Sequence, residues 1–227
     1  MAPCGASSAE PGWLRLTTPL RPRRSIGRVT DLRALAGDAS TCPRCDLAAT
    51  RTQVVFGDGD PHADLLLVGE GPGADEDRLG IPFVGRSGQL LTRLVEEEVG
   101  LARDRCYTTN IVKCRPPGNR DPKPHEADAC APWLEGQLEL IAPKVVVTFG
   151  NVATRRLLGT KEGITALRGR THRWRGATLV PTFHPAAALR GGPATVAAMR
   201  EDLGRARQAL EASAAPGGPA AVRGGRA

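Results

Sequence analysis

Glu70, Asn110 and His184 each stand at or just past the end of a short apolar run, respectively Asp64–Gly69 (DLLLVG), Cys106–Val112 (CYTTNIV) and Ala177–Phe183 (ATLVPTF). An Asn amide offers one acceptor and one donor group, so Asn110 can read a pyrimidine edge that presents the complementary pattern, or it can simply close a turn. The stretch Gly69-Glu70-Gly71-Pro72-Gly73 lets backbone N–H groups approach a ligand closely, with a tight connection as the plainer reading. It has neither the G-x-G-x-x-G pattern nor the Lys-Ser/Thr pair of a nucleotide phosphate loop. Beyond it, Ala74–Gly85 carries Asp75, Glu76 and Asp77 and then an apolar tip around Phe83. An aromatic ring there either anchors the loop to the core or gives a flat base a stacking surface.

Four cysteines form a second pattern: Cys42-Pro43-Arg44-Cys45 is a C-x-x-C, and Cys114 and Cys130 follow with 15 residues between them. Four thiolates suit a [4Fe–4S] cluster or tetrahedral zinc, and spacing does not choose between them. A C-x-x-C redox pair would leave Cys114 and Cys130 without a purpose. Cys4 falls in the first tail, and Cys106 inside an apolar run, where it reads as a small core residue.

Something must bring these residues together. The three apolar runs above and Lys144–Gly150 (KVVVTFG) are short and β-branched, as strands of a parallel sheet buried on both faces would be. Helices are expected at 87–99, 124–141, 151–159 and 194–211, opened by Ser87, Pro124, Asn151 and Pro193. Strand and helix in alternation predict a three-layer α/β/α sandwich with a central, mainly parallel four-stranded sheet. Ligand sites in such sheets lie at the carboxyl ends of the strands, where Glu70, Asn110 and His184 sit. Residues 29–211 are read as the folded domain. Residues 1–28 and 212–227, rich in Pro, Gly, Ala and Arg without apolar period, are read as disordered tails.

With 227 residues the chain is long enough for one cored domain. No stretch approaches the roughly 20 apolar residues of a membrane span. The net charge is +7, and all but four of the 31 basic residues are arginine, whose planar fork suits phosphate. Compositional bias explains such an excess equally well. The cysteine density is too low for a disulfide scaffold and no signal-peptide pattern opens the chain, so a cytoplasmic protein is expected.

Taken together, Gly69–Gly73 (GEGPG), Gly80–Leu91 (GIPFVGRSGQLL), Asn110–Arg120 (NIVKCRPPGNR) and His184–Ala187 (HPAA) resemble the motifs of the family 4 uracil-DNA glycosylases, the iron-sulfur type, across roughly residues 30–211. The resemblance implies removal of uracil from DNA by cleavage of its N-glycosidic bond in base excision repair. It implies that backbone at Gly69, Glu70 and Gly71 contacts the flipped uracil, that Phe83 stacks on it, that Asn110 reads N3–H and O4, and that His184 faces O2. It favours a [4Fe–4S] cluster on Cys42, Cys45, Cys114 and Cys130 over zinc. In a better-known glycosylase family the corresponding turn carries an Asp that positions the attacking water. Here that position is Gly71, which leaves Glu76 and Asn119 as the favoured water-handling residues and gives Glu70 a structural or uracil-facing part.

No basic, His-containing insertion follows Asn110, so turnover is expected rather than covalent capture. Arg86, Arg115, Arg120 and Arg190 are the candidates for holding the DNA backbone. The expected partner is uracil-containing DNA, single- or double-stranded, acted on by a monomer in a bacterial cytoplasm, where DNA binding would associate it with the nucleoid. The competing readings are a non-catalytic Cys4 zinc module that binds DNA and a redox or electron-transfer protein.

Overall fold

The computed structural model describes residues 31–214. The first expected tail and Cys4 lie outside the described residues, as does the second tail from residue 215 on. In chain order the main elements are α1 (Leu32–Ser40), β1 (Asp58–Gly59), β2 (Leu65–Gly69), α2 (Ala74–Leu79), α3 (Arg86–Val99), β3 (Tyr107–Asn110), α4 (Pro124–Ile141), β4 (Val145–Phe149), α5 (Gly150–Leu158), α6 (Ile164–Leu167), β5 (His172–Trp174), β6 (Ala177–Thr182) and α7 (Pro185–Ala214).

The sheet has six strands in the order β1-β3-β2-β4-β6-β5, two more than the four expected. The four expected strands form its parallel interior, and the two additions pair antiparallel at the edges. Both edges are too short to show an apolar period. β5 reaches β6 through Arg175-Gly176, both at positive φ, which is the two-residue hairpin turn that matches strand twist.

Alternation along the interior strands explains why both faces are covered. Leu66, Val68 and Val146 face a core shared with α1 and α4, while Leu65, Leu67, Val145, Val147 and Phe149 face the side of α3 and α7. Successive strand side chains point to opposite faces, so a run that is apolar at every position demands a layer on each side. The expected α/β/α sandwich is what forms.

Two boundaries differ from expectation. Cys106 stands before β3 rather than within it, fully buried, with its thiol donating to Ala102 O at 3.7 Å. The last helical run begins at Pro185, directly after His184, and is interrupted at Gly192 (φ 71°), so the helix expected from 194 is its second part, continuing to Ala214.

Candidate active site

A cavity of about 500 Å³ opens at the carboxyl ends of the parallel strands. Its wall includes Glu70 and Gly71 after β2, Phe83, Asn110 at the end of β3, Gly150 after β4, and His184 after β6. Nine of the sequence-derived candidates, Glu70, Gly71, Glu76, Phe83, Asn110, Asn119, Arg120, His184 and Arg190, thus meet around one cavity, whereas Gly69, Arg86 and Arg115 do not line it.

Backbone pairing fixes the floor. Gly69 and Asn110 are partners in the parallel register, and the ladder continues past the strands through Ile111 N–H to Gly69 O (2.9 Å) and Val112 N–H to Glu70 O (3.1 Å). Gly69 is required here, because a Cβ at that position would lie 2.4 Å from Asn110 Oδ1 and 2.5 Å from Phe83 Cζ. Asn110 is 2% exposed, and its Oδ1 finds no hydrogen-bond partner among the described residues. A buried acceptor left unpaired costs about 1–3 kcal/mol. The site therefore holds an acceptor ready for an N–H that a ligand brings.

Phe83 is buried beside that acceptor, edge-on to Phe149 with centroids 5.8 Å apart and stacked near His184 at 6.2 Å. Its loop is held by Glu76, whose Oε2 accepts from Gly73 N–H at 3.1 Å and whose Oε1 accepts from Val84 and Gly85 N–H, both at 2.9 Å. Three backbone donors occupy this carboxylate.

His184 closes the opposite wall. Its Nδ1 accepts from Ala186 N–H at 3.2 Å, which leaves the ring proton on Nε2. Burial, followed by the nearby Arg190, pushes its pKa down to about 4, so the imidazole is neutral at pH 7. Glu70 moves the other way, up to about 7, through burial and then the charge and hydrogen bond of Asp121. Asp121 also lines the cavity. Nothing in its sequence context, one acid in a polar loop, marks it as a site residue.

The four arginines differ in what they are free to do. Arg120 forks onto Glu126, with contacts of 2.8 and 2.6 Å, and that pairing holds the buried Glu126 down to about 2. Arg115 Nε donates to Asn119 Oδ1 at 2.7 Å, organising the rim while its other donors stay open. Arg86 and Arg190 are exposed, Arg86 at the start of α3 and Arg190 at the cavity wall.

The four cysteines line a small pocket of their own. Cys42 and Cys45 come from the turn after α1, Cys114 from just beyond β3, and Cys130 from α4. Three of these sulfurs accept an N–H: Cys42 from Trp133 Nε1 (3.3 Å), Cys114 from Arg51 (3.5 Å) and Cys130 from Lys113 N (3.3 Å). Burial raises the thiols of Cys45, Cys114 and Cys130, the last to about 12. Among the described residues no three His, Cys, Asp or Glu side chains converge closely enough to hold a single ion. Arg51 and Trp133 carry no spacing signal in the sequence.

Comparison with known proteins agrees with this geometry. Residues 56–204 match the family model described as the uracil DNA glycosylase superfamily. Among curated relatives, a Type-4 uracil-DNA glycosylase of Sulfurisphaera tokodaii is 42% identical over 166 residues, which is 70% of this chain and 76% of the relative. Those of Thermotoga maritima, 46% identical over 66% of this chain and 78% of theirs, and Saccharolobus solfataricus, 39% over 79% and 87%, carry the same description. A sheet whose strand ends gather an unpaired amide acceptor, an aromatic face and a neutral imidazole, in a chain that aligns this far with such proteins, belongs to the uracil-DNA glycosylase superfamily, with the Type-4 enzymes as its relatives.

Proposed function

We propose that this protein removes uracil from DNA by hydrolysing the N-glycosidic bond, leaving an abasic site for base excision repair. The observation that carries the reading is the buried, unpaired Oδ1 of Asn110. Uracil N3–H is the donor it lacks, and the adjoining amide N–H₂ then donates to O4. A base in a duplex must be flipped out to reach this depth, at a cost of a few kcal/mol that is lower when it is mismatched or unpaired. Phe83 stacks on the flipped ring, and backbone at Gly69, Glu70 and Gly71 borders it. As the bond breaks, negative charge grows on O2, where the Nε2–H of His184 donates.

The attacking water needs an acceptor near the sugar. Asn119 and the Glu70–Asp121 pair are the groups left for it, since the Glu76 carboxylate is already committed to Gly73, Val84 and Gly85. Glu76 thus serves the loop, a revision of the water-handling role expected of it. Arg120 is likewise assigned to Glu126 rather than to DNA, which leaves Arg86, Arg115 and Arg190 for phosphate. Removing any one of these three should flatten the dependence of log affinity on log salt by about 0.9 on duplex DNA without changing base preference. Unchanged slopes in all three variants would displace the DNA surface from this rim.

Cys42, Cys45, Cys114 and Cys130 fit a [4Fe–4S] cluster. They surround one pocket, burial keeps the thiols of Cys45, Cys114 and Cys130 protonated unless a cation draws the protons off, and backbone or side-chain N–H groups already face three of the sulfurs. Such a cluster would cross-link the α1 turn, the β3 end and α4, and it supplies no step of the hydrolysis. Cys130→Ala should sharply reduce iron content and soluble yield, while Cys106→Ser leaves iron content intact. Full iron occupancy in Cys130→Ala would remove Cys130 from the ligand set.

A non-catalytic zinc module that binds DNA would leave the 500 Å³ cavity and its unpaired amide without use. The deciding experiment is release of free base from single-stranded and duplex oligonucleotides carrying uracil, hypoxanthine or xanthine. Failure to release uracil would overturn the proposal.

A further inference from the structure

Arg103 lies outside the motifs at the strand ends, in the short turn Arg103–Arg105 that leads into β3. Its guanidinium reaches across to the loop before α3. There Nη1 donates to Phe83 O at 3.2 Å and Nη2 to Pro82 O, with Asp58 Oδ2 of β1 3.4 Å from Nη2. The side chain is 27% exposed, so the fork is partly shielded from water.

These two carbonyls control one residue. Phe83 holds φ at 55°, the left-handed region that a bulky side chain rarely adopts and that persists only where surroundings enforce it. The orientation of the peptide carrying Pro82 O sets φ of Phe83, and that of the peptide carrying Phe83 O sets ψ. Arg103 grips both. The second peptide is also held from its other end, because Val84 N–H donates to Glu76. Gly88 provides the space this requires, since a Cβ there would lie 1.9 Å from Phe83 O.

We infer that Arg103 is a positioning residue for glycosylase activity, a clamp that holds the Phe83 ring at the height and tilt at which it stacks on the flipped base. The inference rests on the reading of Phe83 as the uracil-stacking surface. A guanidinium spans two carbonyls with a rigid fork, whereas an ammonium is a point donor on a flexible stem. Lysine should therefore restore the function only in part.

A double-mutant cycle tests this on the full-length, iron-loaded protein. Single-turnover uracil release from a single-stranded oligonucleotide is measured for Arg103→Gln, Phe83→Ala and the double variant, with thermal melting and iron content recorded alongside. Arg103→Gln should slow release about tenfold in the parent and less than about twofold in the Phe83→Ala background, because a clamp has nothing to hold once the ring is gone. Arg103→Lys should fall between parent and Gln. Asp58→Asn, which removes the partner at β1 and keeps both carbonyl contacts, should stay near the parental rate.

Should the Gln substitution fail to yield soluble protein, the same cycle is run with Arg103→Lys, which should again lose activity in the parent and not on Phe83→Ala. A full loss from Arg103→Gln on top of Phe83→Ala would overturn the clamp, as would parental activity in Arg103→Gln or a loss in Asp58→Asn equal to it. Parental activity in Phe83→Ala would instead overturn the stacking surface itself and the clamp with it.

Discussion

Asn110→Asp should lose at least about a hundredfold in uracil release at neutral pH, a loss much larger than any fall in melting temperature would explain. On the proposed reading, Oδ1 in the parent accepts from uracil N3–H and the amide N–H₂ donates to O4. An ionised aspartate turns that donor into a second acceptor, so O4 faces an acceptor and the pair of contacts is broken. No native side-chain hydrogen bond is lost at Oδ1 and the backbone ladder still holds the strand, so the cost to the fold is confined to burying the carboxylate. Cytosine presents the reverse pattern, an unprotonated N3 and a donating N4 amine. A protonated aspartic acid can match it, and falling pH favours that form, so the uracil loss is read at neutral pH, where the carboxylate is ionised. Any cytosine release by the variant should therefore rise as pH falls from neutral to mildly acidic. The comparison uses single-stranded uracil and cytosine oligonucleotides, which removes the cost of opening a pair. Near-parental uracil activity in Asn110→Asp would mean that Asn110 does not read the base.

Asn110 was legible in the sequence for the same reason the fold was. Strands buried on both faces hold apolar and β-branched residues, Thr108 and Thr109 included, so an amide at the carboxyl end of such a run marks the edge where a parallel sheet meets a ligand. Glu70 and His184 stand out in the same way. What escaped was everything whose partner is set by the tertiary fold. β1 and β5 are two and three residues long, and edge pairing that short follows from neighbours rather than from its own pattern. Glu76 lines the cavity, but its sequence context does not disclose that three loop N–H groups consume its carboxylate. Arg120 looked free and is taken by Glu126, six residues on. Arg103 and Asp121 lie in polar stretches where no periodicity distinguishes a functional residue from a solvated one. Types and local spacing thus point to the residues that could do chemistry, while the assignment of each to substrate or to scaffold depends on contacts that sequence separation hides.

His184→Ala should slow the chemical step about 10²- to 10³-fold and change affinity for uracil-containing DNA little. Charge on uracil O2 is small in the bound state and grows only as the glycosidic bond stretches, so a donor aimed at that oxygen strengthens in the transition state. The donor is a neutral imidazole. Ala186 N–H occupies Nδ1, which keeps the proton on Nε2, and burial together with Arg190 holds the pKa near 4. Two consequences follow for pH. Since the folded protein takes up this proton only near pH 4, the rate of the parent should show no inflection from His184 around pH 6.5. Unfolded chains bind the proton from about pH 6.5 downward and the native state does not, so this residue's contribution to stability is present above 6.5 and is lost as pH falls to 4. His184→Ala should accordingly flatten the acid limb of the melting curve over that window while costing activity at neutral pH. Single-turnover rates and equilibrium binding to the same oligonucleotide separate the two effects. Equal losses in rate and affinity would place His184 in binding or folding, and the stabilisation of O2 would then have to come from backbone N–H groups at the strand ends.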